Sequence, residues 1–107
     1  MDVFHALSAP TRRGIVEMLS KKDRMSAMDI ADKFDASPPA ISQHLKVLRE
    51  AKILHMEKQG KQRFYYLDPN AMLELSEWTQ MITKEWQGRL DRLENVLTKG
   101  TIKNKKK

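Results

Sequence analysis

Apolar positions recur at three- and four-residue spacing along most of the chain and switch to strict alternation once, between about residues 54 and 66. The first spacing marks helices with one dry face, the second a strand buried on one side. Val3, Phe4 and Leu7 share a helical face that ends at Ser8-Ala9-Pro10. A second helix is predicted from about residue 10 to 19, with Ile15, Val16 and Leu19 inward. Ser26-Ala27-Met28-Asp29 resembles a capping box and opens a short helix whose Ile30, Ala31 and Phe34 face the core. Asp35 and Ala36 form a tight turn, and Ser37 and Pro38 are suited to the N-cap and first helical position of the next segment. There Ile41, Leu45 and Leu48 point inward, while Pro39, Ser42, Gln43, Lys46 and Arg49 lie on the other side.

After Ala51 the period falls to two. Leu54 and Met56 alternate with His55 and Glu57, and Phe64 and Tyr66 alternate with Arg63 and Tyr65. Gly60 can supply a positive φ, so Gln59-Gly60-Lys61 is predicted as a three-residue hairpin loop, with Met56 opposite Phe64 and Glu57 opposite Arg63. Two short helices joined by a tight turn and followed by a basic hairpin define a mainly α fold with a small β-hairpin, a winged helix-turn-helix.

Asp68-Pro69 closes the hairpin, and a long helix is predicted over residues 71–98, roughly 42 Å at the usual rise. Leu75, Trp78, Ile82, Trp86, Leu90, Leu93 and Leu97 form one stripe along it. A core of about 98 residues cannot cover so long a stripe, so the expected cover is the same helix of a second copy, joined by Val3, Phe4 and Leu7. Residues 1–98 are thus expected to form one domain with its dimerisation helix, and residues 99–107 a basic, disordered tail.

Charge changes the picture once it is located. The net charge of +6 rests largely on that tail, which holds five of the twenty cations and no acid. Residues 1–98 have 15 cations against 14 acids, a net of +1. Residues 46–63 instead concentrate Lys46, Arg49, Lys52, Lys58, Lys61 and Arg63 against Glu50 and Glu57, a local net of +4. The absence of cysteine excludes disulfides and thiolate sites, and the polar first twenty residues lack the apolar run of a signal peptide or membrane span. A cytoplasmic location is expected.

These residues suit double-stranded DNA. Gln43 can bond two edges of adenine, Ser42 a base or a phosphate, and Lys46 and Arg49 phosphates. Ser37 and Pro39 stand at the helix start, where Pro39 can touch a thymine methyl. His44, at the edge between dry and wet faces, is expected to bond backbone or phosphate. Lys58, Lys61 and Arg63 place cations on the hairpin, where they can straddle a phosphate strand. Catalysis fits poorly. Ser42 and His44 point roughly 200° apart on a helix, which prevents a nucleophile and base pair between them, and the four glycines form no phosphate loop.

The segments FHALSAPTRRGIVEMLS, MSAMDIADKF, SPPAISQHLKVLREAKIL and GKQRFYYLDP, in this order over residues 3–69, resemble the arsenic-repressor-like (ArsR) family of winged-helix regulators. The resemblance implies a homodimer joined by its first and last helices, and repression of a two-fold symmetric operator relieved by an inducer. Ala9 stands where the family commonly has a helix-capping Asp, which leaves Ser8 or water to satisfy the amides. Ser26 and Met28 stand where metal-sensing relatives carry a Cys-x-Cys pair, and no histidine follows His55 on the terminal helix. No metal and no cofactor are therefore expected. The rival from another class is a dimeric protein-interaction module with this fold that no longer binds DNA.

Overall fold

The computed structural model describes residues 2–100, with side chains as far as residue 97. Residues 101–107 of the expected basic tail lie outside the described residues.

Among the described residues, five helices and three strands follow in the order α1 (Val3–Ala6), α2 (Pro10–Leu19), β1 (Met25–Ser26), α3 (Ala27–Asp32), α4 (Pro38–Glu50), β2 (Leu54–Gln59), β3 (Gln62–Leu67) and α5 (Pro69–Gly100). The Asp2 carboxylate caps α1 by accepting from the His5 N–H at 2.8 Å. At α2 the expected help from Ser8 does not occur: its hydroxyl donates back to the His5 carbonyl at 2.7 Å, and the Ala9 N-cap has no side-chain bond. Pro10 lessens that loss, since it has no amide to satisfy. Ser26 caps α3 as its capping-box position predicts, its hydroxyl accepting from the Asp29 N–H at 3.1 Å. Gly14 lets α2 approach the ring of Phe34, which a Cβ there would meet at 2.9 Å.

The core collects one stripe each from α2, α3 and α4. Ile15 and Leu19 of α2, Ile30 of α3, and Ile41, Leu45 and Leu48 of α4 are buried together with Ile53, Leu54 and Tyr65. Val16 and Phe34, expected inside, are half-buried against that cluster.

The exit from α4 is a Schellman motif. The Lys52 N–H donates to the Arg49 carbonyl at 2.9 Å, and the Ile53 N–H to the Leu48 carbonyl at 3.0 Å. Lys52 sits there at φ 63°, in the left-handed region usually left to glycine, and the buried Leu48 and Ile53 hold the motif shut.

The sheet corrects two expectations. It has three strands in the order β1-β3-β2, because Met25 and Ser26 pair antiparallel with Tyr65 and Phe64. Gln59 pairs with Gln62, so the loop is the two residues Gly60-Lys61, with Gly60 at φ 62°. Glycine with positive φ at the first central position is the pattern of a type II′ turn, which matches strand twist better than the predicted three-residue loop. The register shifts accordingly: Met56 faces Tyr65, Glu57 faces Phe64 and Lys58 faces Arg63. A shift of one residue exchanges the two faces of a strand, so Tyr65 is buried and Phe64 and Tyr66 are only half-buried.

Asp68 joins sheet to helix. Its N–H donates to the Ile53 carbonyl at 2.8 Å, one carboxylate oxygen accepts from the Asn70 N–H at 2.8 Å, and the other lies 2.9 Å from His55 Nε2. The Asn70 amide, with smaller help from His55, holds the Asp68 carboxyl below its ordinary pKa against an opposing effect of desolvation. The described residues divide into two compact units: residues 2–73 hold the winged helix, and residues 74–100 are the body of α5.

Candidate nucleic-acid interface

The orientation of α4 is set by its own dry side. The Ser37 hydroxyl accepts from the Ala40 N–H at 3.3 Å, Pro38 occupies the first turn, and the buried Ile41, Leu45 and Leu48 fix the rotation of α4 against the core. That rotation leaves Ser37, Pro39, Ser42, Gln43, Lys46 and Arg49 exposed. The face therefore offers hydroxyl, amide, ammonium and guanidinium groups, which pair with base edges and phosphates. Lys46 and Arg49 also border an open cleft with Glu50 of α4 and Leu54, His55 and Met56 of β2, so both cations of that groove come from the helix.

His44 is placed differently from the expectation of a backbone or phosphate bond. It is half-buried, and its Nδ1 lies 3.1 Å from Nη1 of Arg12. A guanidinium only donates, so Nδ1 accepts and Nε2 carries the proton in this pairing. Arg12 also donates from Nε to the Ala6 carbonyl at 2.6 Å and from Nη2 to the His5 carbonyl at 3.4 Å. The sequence gives no hint of this clamp, because Arg12 and His44 lie 32 positions apart.

Lys58, Lys61 and Arg63 are exposed on the hairpin, as expected. The observed register puts Lys58 directly across from Arg63, where like charges repel unless an anion lies between them. Glu57, expected opposite Arg63, instead faces Phe64 and pairs with Arg24 at 3.1 Å. Arg24 further donates to Gln59 Oε1 at 3.1 Å and lies 4.3 Å above the Phe64 ring, so it braces the wing from outside. Arg24 is a wing residue that periodicity could not reveal, since it sits in a charged run before an unpredicted two-residue strand.

The residues expected at a dimer contact fall into two groups. Val3 and Leu7 are half-buried against the core of their own domain, and Phe4 is exposed. On α5, Leu75 is half-buried while Trp78, Ile82, Trp86, Leu90 and Leu93 are exposed. At the positions that resemble a metal site, Ser26 is buried and used as a cap, and Met28 is exposed. Among the described residues no group of three His, Asp or Glu side chains could hold a metal ion, and no helix is long and apolar enough to cross a membrane.

A helix-turn-helix with a polar outer face beside a cationic β-ribbon defines a winged-helix DNA-binding domain. Known proteins agree. The helix-turn-helix domain family matches residues 7–57. The transcriptional repressor SdpR of Bacillus subtilis is 38% identical over 77 residues, covering 72% of this chain and 84% of the relative. The arsenical resistance operon repressor of Escherichia coli is 33% identical over 98 residues, covering 91% of this chain and 80% of that protein. The solved structure of an ArsR-like transcriptional regulator from a Rhodococcus species superposes with a TM-score of 0.69 at 28% identity, over 88% of each chain. The chain belongs to the ArsR family of winged-helix transcriptional regulators, DNA-binding proteins rather than enzymes.

Proposed function

We propose that the protein is a homodimeric cytoplasmic repressor that binds a two-fold symmetric operator, controlling its own or neighbouring genes. Two α4 helices enter successive major grooves about 34 Å apart, with the wings flanking them. Gln43 reads a base edge, with Ser42 beside it and Pro39 against a thymine methyl. Ser37, His44, Lys46 and Arg49 serve the phosphates, and Lys58, Lys61 and Arg63 grip the neighbouring strand. The observation that carries this reading is the pairing of Lys58 with Arg63 across the wing, on the hairpin that follows α4 and its exposed polar face. Two cations held side by side are stabilised by an anion between them.

The exposed Ile82, Trp86, Leu90 and Leu93 support α5 as the dimer contact, since a contiguous apolar stripe in water favours a second copy. Phe4, exposed on α1, is a further apolar contact for that copy, and residues 1–98 act as one functional unit. Gel-shift and footprinting on DNA upstream of the protein's own gene test the reading. A protected site with two-fold symmetry and a steep fall of affinity with salt is expected. Binding without salt dependence, or no protection, would overturn it.

A further inference from the structure

Arg12, on α2, makes three hydrogen bonds that tie the end of α1 to α4. Its Nε and Nη2 donate to the carbonyls of Ala6 and His5 at the end of α1, at 2.6 and 3.4 Å. The remaining arm reaches His44 Nδ1 at 3.1 Å. Ala6 is fully buried, which anchors the guanidinium on the domain side. A neutral imidazole has one donor and one acceptor nitrogen, and the partner of one determines the role of the other. With Arg12 donating to Nδ1, the proton resides on Nε2, and the ring's second nitrogen is a donor. The preceding residue along α4, Gln43, is exposed and borders the half-buried His44, whereas Lys46, two residues beyond, points roughly 200° away around the helix.

We propose that Arg12 is a positioning residue for DNA binding: it holds His44 as the Nε2–H tautomer, oriented to donate to a backbone phosphate. The proposal rests on the DNA-contact reading of α4. The same guanidinium grips the end of α1, so the start of the chain and the DNA-facing helix are held by one side chain. Arginine is suited to this task because its rigid fork serves all three acceptors at once, which a lysine ammonium on a flexible stem cannot do in the same geometry.

The test begins with the wild-type protein without DNA. Nitrogen-15 NMR of the His44 ring should show Nδ1 unprotonated and Nε2 protonated, and the opposite tautomer would overturn the proposal. Arg12→Met, which keeps the apolar stem, should release a mixture of tautomers. Binding is then measured on the protein's own upstream fragment. His44→Ala and Arg12→Met are each expected to weaken binding about fivefold, the size of one hydrogen bond. The double variant should bind about as well as either single one, because both remove the same contact. His44→Gln should stay within about twofold of wild type, since its amide accepts from Arg12 and donates outward in one side chain.

Independent, multiplying losses would overturn the positioning role, as would an Arg12→Met protein with native tautomer and native affinity. Thermal melting of each variant separates a folding defect, and the wild-type tautomer needs no variant at all. Lys46→Ala on the same fragment separates the two levels. If it weakens binding while Arg12→Met does not, only the role of Arg12 fails. If neither Lys46→Ala nor His44→Ala has an effect, the DNA contact itself fails and the proposal with it.

Discussion

Helices α4 and α5 carry apolar stripes of the same period, but with opposite outcomes. On α4 the stripe is dry: Ile41, Leu45 and Leu48 are 2%, 1% and 0% exposed. On α5 it is wet: Ile82, Trp86 and Leu93 are 45%, 55% and 54% exposed. Periodicity says which face of a helix avoids water, and says nothing about what removes the water. For α4 that is α2, α3 and the sheet, so its stripe sets the stability of the domain. For α5 the proposed cover is a second copy, so its stripe sets assembly.

The largest expected effect tests the first half of that contrast. Leu48→Ala should destabilise the domain by about 2–5 kcal/mol, seen as a lower denaturation midpoint. A loss below about 1 kcal/mol would mean that α4 is not held by its buried face. Trp86→Ala tests the other half. Its expected cost is about 2–4 kcal/mol in association, read by sedimentation as a shift from dimer to monomer with the winged helix still folded. An unchanged dimer would remove α5 from the interface. On the outer face of α4, Gln43→Ala should relax base preference by about 1–3 kcal/mol, whereas Lys46→Ala should weaken all sequences alike and lower the salt slope by about one. Competition gel-shifts with mutated fragments distinguish the two.

The ends of the two helices provide smaller tests. Lys52→Gly relieves a left-handed residue at the exit of α4, and is expected to raise stability by about 0.5 kcal/mol in urea unfolding. Destabilisation would show that the lysine side chain matters more than its backbone. At the entry to α5, the Asp68 carboxyl has a depressed pKa, chiefly through the Asn70 amide. Its contribution is therefore fully present above the unfolded aspartate pKa and is lost as pH falls through the lower folded value. Asp68→Asn should flatten the acid limb of the stability curve, with the slope elsewhere unchanged.

Much of this was legible in the chain. The limits of α2 and the Ser26 and Ser37 caps follow from local chemistry, because a cap bonds amides only two or three residues away. The parts that were not legible depend on partners far along the sequence. Strand β1 has two residues and no periodicity, and exists because β3, some forty positions later, offers an edge. The wing register turned on a loop of two residues rather than three, a difference that local residue types do not resolve. Arg24 and Arg12 look like any surface cations until Glu57 and Phe64, or His44 and the end of α1, are brought beside them.

The sequence by itself determined the helices, their dry faces, the polar types on α4 and the cationic stretch from residue 46 to 63, since these depend on spacing and composition. Tertiary structure alone decided which charges stand together. It set Lys58 against Arg63, drew Glu57 away to Arg24, and fixed the hydrogen-bonding role of His44 through Arg12. The physical reason is range: turn and cap energies act within a few residues, whereas charge pairing and tautomer depend on atoms a few ångströms away in space, whatever their distance along the chain.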